Sequence, residues 1–470
     1  MSDSRRGPRS GPRRPGRRGS PQPDPARRVA FDLLRAVAER DAYANLTLPR
    51  LLRERGLAGR DAAFATELAY GTIRGQGTYD TILAACVDRP LEAVDPPVRD
   101  VLRLGAHQLL AMRVPTHAAV DATVELARAV LGEGPGSFVN AVLRRVTRSG
   151  FEEWLDRVAP SAELDPLGAL AVRHSHPRWV VSALRDALGG DLVETAQLLA
   201  AHNAPAAVSL VARPGRATVH ELVEAGARPG RFSPYAATLP AGDPADVAAV
   251  REGRAAVQDE GSQLVALALA AVPLGGRDER WLDLCAGPGG KAGLLGAVAR
   301  TRGARLLAAE VAPHRARLVA RTAGRDAAVV VADGRTPPWA GGTFDRVLLD
   351  APCTGLGALR RRPESRWRRQ PGDVAALSSL QRQLLASALD CVRPGGVVAY
   401  VTCSPHLAET RAVVDDAIRA RLDVRRDDAV AALTSVTRET LPGLGAGPDA
   451  QLWPHRHGTD GMFLALLRRA

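Results

Sequence analysis

The sequence predicts a multidomain protein: an all-α N-terminal domain, a small α/β connector, and a C-terminal α/β domain with a doubly wound, mainly parallel sheet. Three observations predict it. Apolar residues recur at helical spacing through 26–150. Short apolar runs alternate with helical stretches through 256–470, the pattern of parallel βα units. The 470 residues, at roughly 150 per domain, allow about three domains.

Residues 1–25 are Arg, Gly, Pro and Ser with almost no apolar content, so they cannot bury a core and read as a disordered basic tail. In 26–150 the stripe Val29, Leu33, Leu34 and Val37 opens a helical series. Further stripes run through 61–73, 98–112, 118–131 and 137–146, separated by Pro and Gly clusters. Residues 151–255 are mixed, with a helical stretch at 180–188 and a strand at 207–211. In 256–470 the expected strands are 281–285, 305–310, 327–331, 346–350, 397–402 and 462–467. The turn signal Thr459-Asp460-Gly461 before the last of these predicts a closing hairpin.

The net charge of +12 has an address. Residues 1–28 carry nine Arg and two Asp, residues 360–369 carry six Arg and one Glu, and these segments account for the whole excess. Charge so concentrated predicts contact with a polyanion. Lys291 is the only lysine among 63 basic residues, which points to a chemical need at that position. The five cysteines, Cys86, Cys285, Cys353, Cys391 and Cys403, form no CxxC pair. A disulfide scaffold and a zinc ribbon are therefore not expected, no metal is expected, and a reducing cytoplasm fits. The longest apolar run, 264–272, is far short of the ~20 residues that span a bilayer, so no membrane role is expected. No hydrophobic signal core follows the basic start, which argues against secretion. Nothing in the sequence reports oligomeric state, and a monomer is assumed.

The first expected strand of the C-terminal domain runs into Cys285-Ala286-Gly287-Pro288-Gly289-Gly290-Lys291, with a helix to follow. Glycines let the backbone turn tightly and approach a ligand, and the helix start offers free N–H groups to an anion. A phosphate-binding P-loop needs Gly six positions before the lysine and Ser or Thr after it; Cys285 and Ala292 stand there instead. Glu310 ends the second strand, where an acid accepts hydrogen bonds from a ribose diol. A dinucleotide and S-adenosylmethionine both suit, but the GxGxxG spacing of the former is missing. Asp333, after the third strand, is placed to face an adenine or to cap its own turn.

Two cysteines fall just past strand ends, in Asp350-Ala351-Pro352-Cys353-Thr354 and in Thr402-Cys403-Ser404-Pro405. Ligands of open α/β sheets bind outside the carboxyl ends of the strands, so both thiols should face one crevice. Cys86 and Cys391 sit on apolar helical faces and read as small core residues. Two thiols and a carboxylate beside a methyl donor fit methylation of cytosine C5. That carbon becomes nucleophilic only after a thiolate adds at C6; an acid at the N3/N4 edge stabilises the developing charge, and a base must then remove the C5 proton.

These motifs resemble the RNA cytosine-C5 methyltransferase family. The Arg-rich segment with Trp367, and Trp453-Pro454 with His457-Gly458-Thr459-Asp460-Gly461, resemble it too. The N-terminal region, notably Phe138-Val139-Asn140-Ala141-Val142-Leu143-Arg144, is similar to the NusB-like RNA-binding domain. Together they resemble the bacterial Fmu/Sun group that acts on 16S ribosomal RNA, over nearly all of 26–470. The resemblance implies a Rossmann-like class I methyltransferase domain using S-adenosylmethionine. It makes Cys403 the nucleophile and gives Cys353 a part in product release. Asp350 would face the base. Cys285 to Lys291, Glu310, Asp333 and Asp350 would bind the cofactor. Thr354, Glu310 and Gly287 depart from the Ser, Asp and Ala usual in the family, each by a chemically similar or smaller residue. DNA cytosine methyltransferases carry their nucleophile in the Pro-Cys motif, followed by Gln; here Thr354 follows, and Cys403 has no counterpart there.

Arginine beside tryptophan suits RNA phosphates and unstacked bases, so Arg360, Arg361, Arg362, Arg366, Trp367, Arg368 and Arg369 are the expected RNA contacts. A non-catalytic RNA-binding or antitermination factor is the alternative, and it needs neither pocket cysteine. A small-molecule methyltransferase leaves the basic segments without a role.

Overall fold

The structure, a computed structural model, describes residues 23–470. The basic tail lies outside the described residues except at its end. There the Asp24 side chain accepts a hydrogen bond from the Arg27 backbone N–H at 2.8 Å, and Pro25 opens the first helix. Proline suits that position because its missing N–H needs no partner there.

The chain forms two compact units. The first comprises 23–42, 46–72 and 82–154. It is built from helices, including Pro25–Arg40, Pro96–Leu110, Thr116–Leu131 and Glu133–Val146. Their apolar stripes converge on a core containing Val29, Leu33, Leu102, Val120 and Leu143. Gly105 lets two helices approach closely: a Cβ there would lie 2.7 Å from Leu143 Cδ1.

The second unit comprises 43–45, 73–81 and 155–470. It holds the helices Pro166–His174, Arg178–Ala187 and Leu192–Asn203, then a four-stranded antiparallel sheet. That sheet has the order β2-β3-β1-β4, from β1 (Val208–Ala212), β2 (Arg228–Pro229), β3 (Ala236–Leu239) and β4 (Ala255–Val257).

A Rossmann-like sheet follows. Its strands are β5 (Arg280–Asp283), β6 (Arg305–Glu310), β7 (Ala327–Val331), β8 (Phe344–Asp350), β9 (Val392–Thr402), β10 (Val424–Asp427), β11 (Ala450–Gln451) and β12 (Phe463–Arg469). The order is β10-β12-β9-β8-β5-β6-β7, with β11 paired to β12. The run from β7 to β9 is parallel, and β12 and β10 add antiparallel edges. Alternate residues serve the two faces. Val397, Ala399 and Val401 join one apolar cluster, while Val398 and Tyr400 join another. Helices cover both faces, as period-2 strands apolar on both sides require. One of them, Glu260–Ala271, is buried on nearly every side and absorbs the longest apolar run of the sequence.

The chain leaves β5 toward β6 on one side and β8 lies on the other, so the strand order reverses between β5 and β8. The loops after these strands open onto the crevice that such a reversal creates. The expected closing hairpin is present as a short antiparallel pair, β11 with β12. The main partner of β12 is β9; β11 pairs with it through only two residues, because the turn of helix Pro454–His457 intervenes.

Candidate active site

The loop from Cys285 to Lys291 leaves β5 and enters helix Gly290–Thr301. Gly289 has φ +108° and precedes the first helical residue, a conformation glycine adopts freely. The Gly287 N–H donates to Glu310 Oε2 at 3.1 Å, and a Cβ on Gly287 would lie 2.1 Å from that oxygen. Glycine is therefore what allows the carboxylate to close on the loop. Glu310 also accepts from the Ala312 N–H at 3.0 Å, and Arg315 stands 3.5 Å away.

Lys291 Nζ donates to Asp350 Oδ2 at 2.8 Å and joins this loop to the end of β8. Burial opposes the ammonium charge, but Asp350 outweighs it and the Lys291 pKa moves up. Asp283, at the end of β5, is buried, and neither carboxyl oxygen makes a well-formed hydrogen bond to any described residue. Burial first, and the Asp350 charge second, push it up to about 8. Cys285 is likewise pushed well up by burial and remains a neutral thiol beside these acids. Asp333 sits after β7 and accepts from the Arg335 backbone N–H and guanidinium, so it caps its own turn while half-exposed.

The thiols of Cys353 and Cys403 meet at 3.3 Å, and both are free cysteines. Their shifts oppose one another. The hydrogen bond between them, with Lys291 and Arg362 nearby, moves Cys403 down against burial and the Asp350 charge. The same hydrogen bond, burial, and the charges of Cys403, Glu409 and Asp350 move Cys353 up. Either sulfur can be the donor in this contact, and the opposed shifts favour the proton on Cys353.

Beneath the thiols lies a residue that sequence reading missed. Glu409 is fully buried. Its Oε1 accepts from the Thr354 N–H at 2.8 Å and from Gln381 Nε2 at 3.2 Å. Its Oε2 accepts from the Thr354 hydroxyl and from Ser404 Oγ at 2.7 Å. Gln381 also donates to the Pro352 carbonyl at 2.8 Å, and the Tyr400 hydroxyl to the Glu409 carbonyl at 2.7 Å. The available signal was that a hydroxyl residue follows each crevice cysteine, which asks for a shared acceptor.

The Arg-rich segment divides. Arg366 is fully buried and donates to the carbonyls of Arg74 at 3.3 Å, Ser175 at 3.0 Å and His202 at 3.4 Å, and to Asn203 Oδ1 at 2.8 Å. This corrects its expected role as an RNA contact: it stitches the second unit together. Trp367 lends its indole N–H to the Ile73 carbonyl at 3.3 Å and packs on Gly77. Arg361 binds Asp259 at 2.7 Å and Asp460 at 3.1 Å, and Arg360 donates to the Gly458 carbonyl at 2.7 Å. Arg369 stands 3.9 Å from Asp373. Arg362 and Arg368 instead lie over the ring of Tyr43, 5.4 and 5.2 Å from its centroid, and Tyr43 is 44% exposed.

No group of side chains that could hold a metal ion occurs among the described residues. None of the described helices is long and apolar enough to cross a membrane.

Comparison with known proteins agrees with this fold. Residues 272–468 match the family model described as 16S rRNA methyltransferase RsmB/F, and residues 24–148 match that of the NusB family. The putative methyltransferase Rv1407 of Mycobacterium tuberculosis is 54% identical over 452 residues, covering 95% of this chain and 97% of that protein. The probable ribosomal RNA small subunit methyltransferase B of Bacillus subtilis is 30% identical, covering 94% and 98%. The ribosomal RNA small subunit methyltransferase B of Pseudomonas putida is 34% identical, also covering 94% and 98%. Among solved structures, PH0851 superposes with a TM-score of 0.77 at 23% identity, covering 95% of this chain and 98% of that one, a likeness of fold.

The fold and these relatives define an RNA methyltransferase. The chain belongs to the RsmB/F family of 16S rRNA methyltransferases, with a NusB-family domain toward its N-terminus.

Proposed function

We propose that this protein methylates C5 of a cytosine in 16S ribosomal RNA, with S-adenosylmethionine as donor and Cys403 as covalent nucleophile. The observation that carries the reading is the meeting of two free thiols, 3.3 Å apart, past the ends of neighbouring strands. The structure of NSun6 from Pyrococcus horikoshii was solved with SFG, and its TM-score to this chain is 0.52 at 19% identity, covering 62% of this chain and 98% of that one. The loop fits such a donor: Gly287 lets the Glu310 carboxylate close on the loop backbone, and Glu310 keeps lone pairs for a ribose diol. Cys285 to Lys291, Glu310, Asp333 and Asp350 would hold it, and it supplies an electrophilic methyl group.

The chain's own residues do the rest. The Cys403 thiolate forms a bond to C6, which makes C5 an enamine-like carbon able to accept the methyl group. Asp350 gives one oxygen to Lys291 and turns the other to the N3/N4 edge of the base. Cys353, once ionised, takes the C5 proton; the C–H electrons form the C5–C6 double bond and expel the Cys403 thiolate. Arg362 and Arg368 with Tyr43 offer cations and an aromatic face to unstacked RNA at the accessible side of the segment. The target base must leave its stack to reach the thiols, which single-stranded or looped RNA makes less costly. Free cysteines throughout fit a reducing cytoplasm.

Bisulfite sequencing of 16S ribosomal RNA tests the reading. One 5-methylcytosine should disappear in a strain lacking the protein and return when purified protein and methyl donor are added. An unchanged methylation pattern contradicts it.

A further inference from the structure

We propose that Glu409 assigns the two thiols their roles: its buried carboxylate ties the Pro352-Cys353-Thr354 turn to the Cys403-Ser404 turn, and its negative charge holds their shared proton on Cys353. The inference rests on the covalent reading above for its use in catalysis, but the assignment of the proton stands by itself.

Geometry carries it. Every partner of the Glu409 carboxylate is a donor: one backbone N–H, one amide N–H and two hydroxyls. All four hydrogen bonds run toward the carboxylate, which donates none. Two of those bonds come from Thr354, the residue after Cys353, and one from Ser404, the residue after Cys403. The two strand ends are thus fixed to one acceptor, and the thiols meet above it.

The charges around the pair are unequal. Cys353 is faced by Glu409, Asp350 and Cys403, all negative when ionised, with the Tyr400 hydroxyl also near. Cys403 is faced by Asp350 and Cys353, but also by the cations Lys291 and Arg362. His406, which lies near Glu409, is held down chiefly by burial. One proton shared between two sulfurs therefore settles on Cys353, and the thiolate is left on Cys403. Cys353 is then barred from attacking the base. When the Cys403 sulfur bonds to carbon it loses its charge, and the strongest restraint on Cys353 goes with it. Cys353 releases its proton to water and becomes the base that takes the C5 proton.

The test is iodoacetamide alkylation of the full chain across pH, each cysteine read by mass spectrometry, without RNA or methyl donor. In the wild-type chain Cys403 should be alkylated before Cys353 at neutral pH. In Cys403→Ser, the Cys353 midpoint should lie above the ordinary thiol value of about 8.5. Adding Glu409→Gln, which keeps the shape and loses the charge, should lower that midpoint by about one pH unit, while Glu409→Asp should not. A Cys353 midpoint at or below the ordinary value overturns the proposal without any change at 409. So does an equal midpoint in the Gln and Asp variants. If the alkylation order holds but no 5-methylcytosine forms on RNA, the functional reading fails and the proton assignment survives.

Discussion

Lys291 Nζ lies 2.8 Å from Asp350 Oδ2, so the only lysine of the chain bridges the glycine loop after β5 and the end of β8. An arginine would bring a planar fork where this contact uses a compact point charge on a flexible stem. The contact places a cation next to Asp283, Asp350 and Cys403 at once.

Lys291→Ala and Glu310→Ala should each weaken S-adenosylmethionine binding at least tenfold while leaving the circular dichroism spectrum intact. Calorimetric titration checks this. Wild-type affinity in both variants would mean that the cofactor does not bind at this loop.

Asp283 gives the protein a pH-dependent stability. Its carboxyl titrates at about 8 in the fold, against about 3.9 in an unfolded chain. Between those values the folded state holds a proton that the unfolded state has lost. Stability from this group therefore falls as pH rises, by up to about 1.4 kcal/mol per unit. Asp283→Asn cannot ionise, so its thermal midpoint should gain on wild type steadily from pH 5 to pH 8. Parallel melting curves across that range would show that Asp283 is already ionised at neutral pH.

Arg366 and the Tyr43 platform should separate stability from RNA binding. Arg366→Ala strands buried carbonyls and should lose about 3 kcal/mol by urea denaturation. Tyr43→Ala and Arg362→Ala should melt like wild type. Each should weaken single-stranded RNA binding about tenfold by fluorescence anisotropy, the scale of one lost stacking contact. Unaltered RNA affinity in both would move the RNA path elsewhere.

The central strands were legible because each is a short, largely buried apolar run between polar or turn residues. The start of β9 was not. Residues 393–396, Arg-Pro-Gly-Gly, read as a turn, yet they form an irregularity within the strand where the register against β8 shifts. Strand β10, Val-Arg-Arg-Asp, is an edge strand with one inward apolar residue and shows no alternation. In the site, Lys291 and the two cysteines stood out because their residue types are rare and lie at strand ends. Glu409 did not, because its partners at 354 and 381 are distant in sequence and meet it only across the sheet end. The charge run 360–369 misled for a physical reason. Side chains such as Arg366 can enter a fold when carbonyls satisfy their donors, and composition alone does not report those partners.

The identity of the nucleophile is tested most directly by trapping it. Cys353→Ala and Cys403→Ala, each incubated with substrate RNA and methyl donor, should be run on a denaturing gel. Cys403→Ala should give neither methyl transfer nor a covalent RNA adduct. Cys353→Ala should still attack C6 and accept the methyl group at C5, then stall because the C5 proton leaves slowly. A methylated RNA–protein adduct should accumulate in that variant. An adduct in Cys403→Ala and none in Cys353→Ala would contradict the account and reverse the two roles.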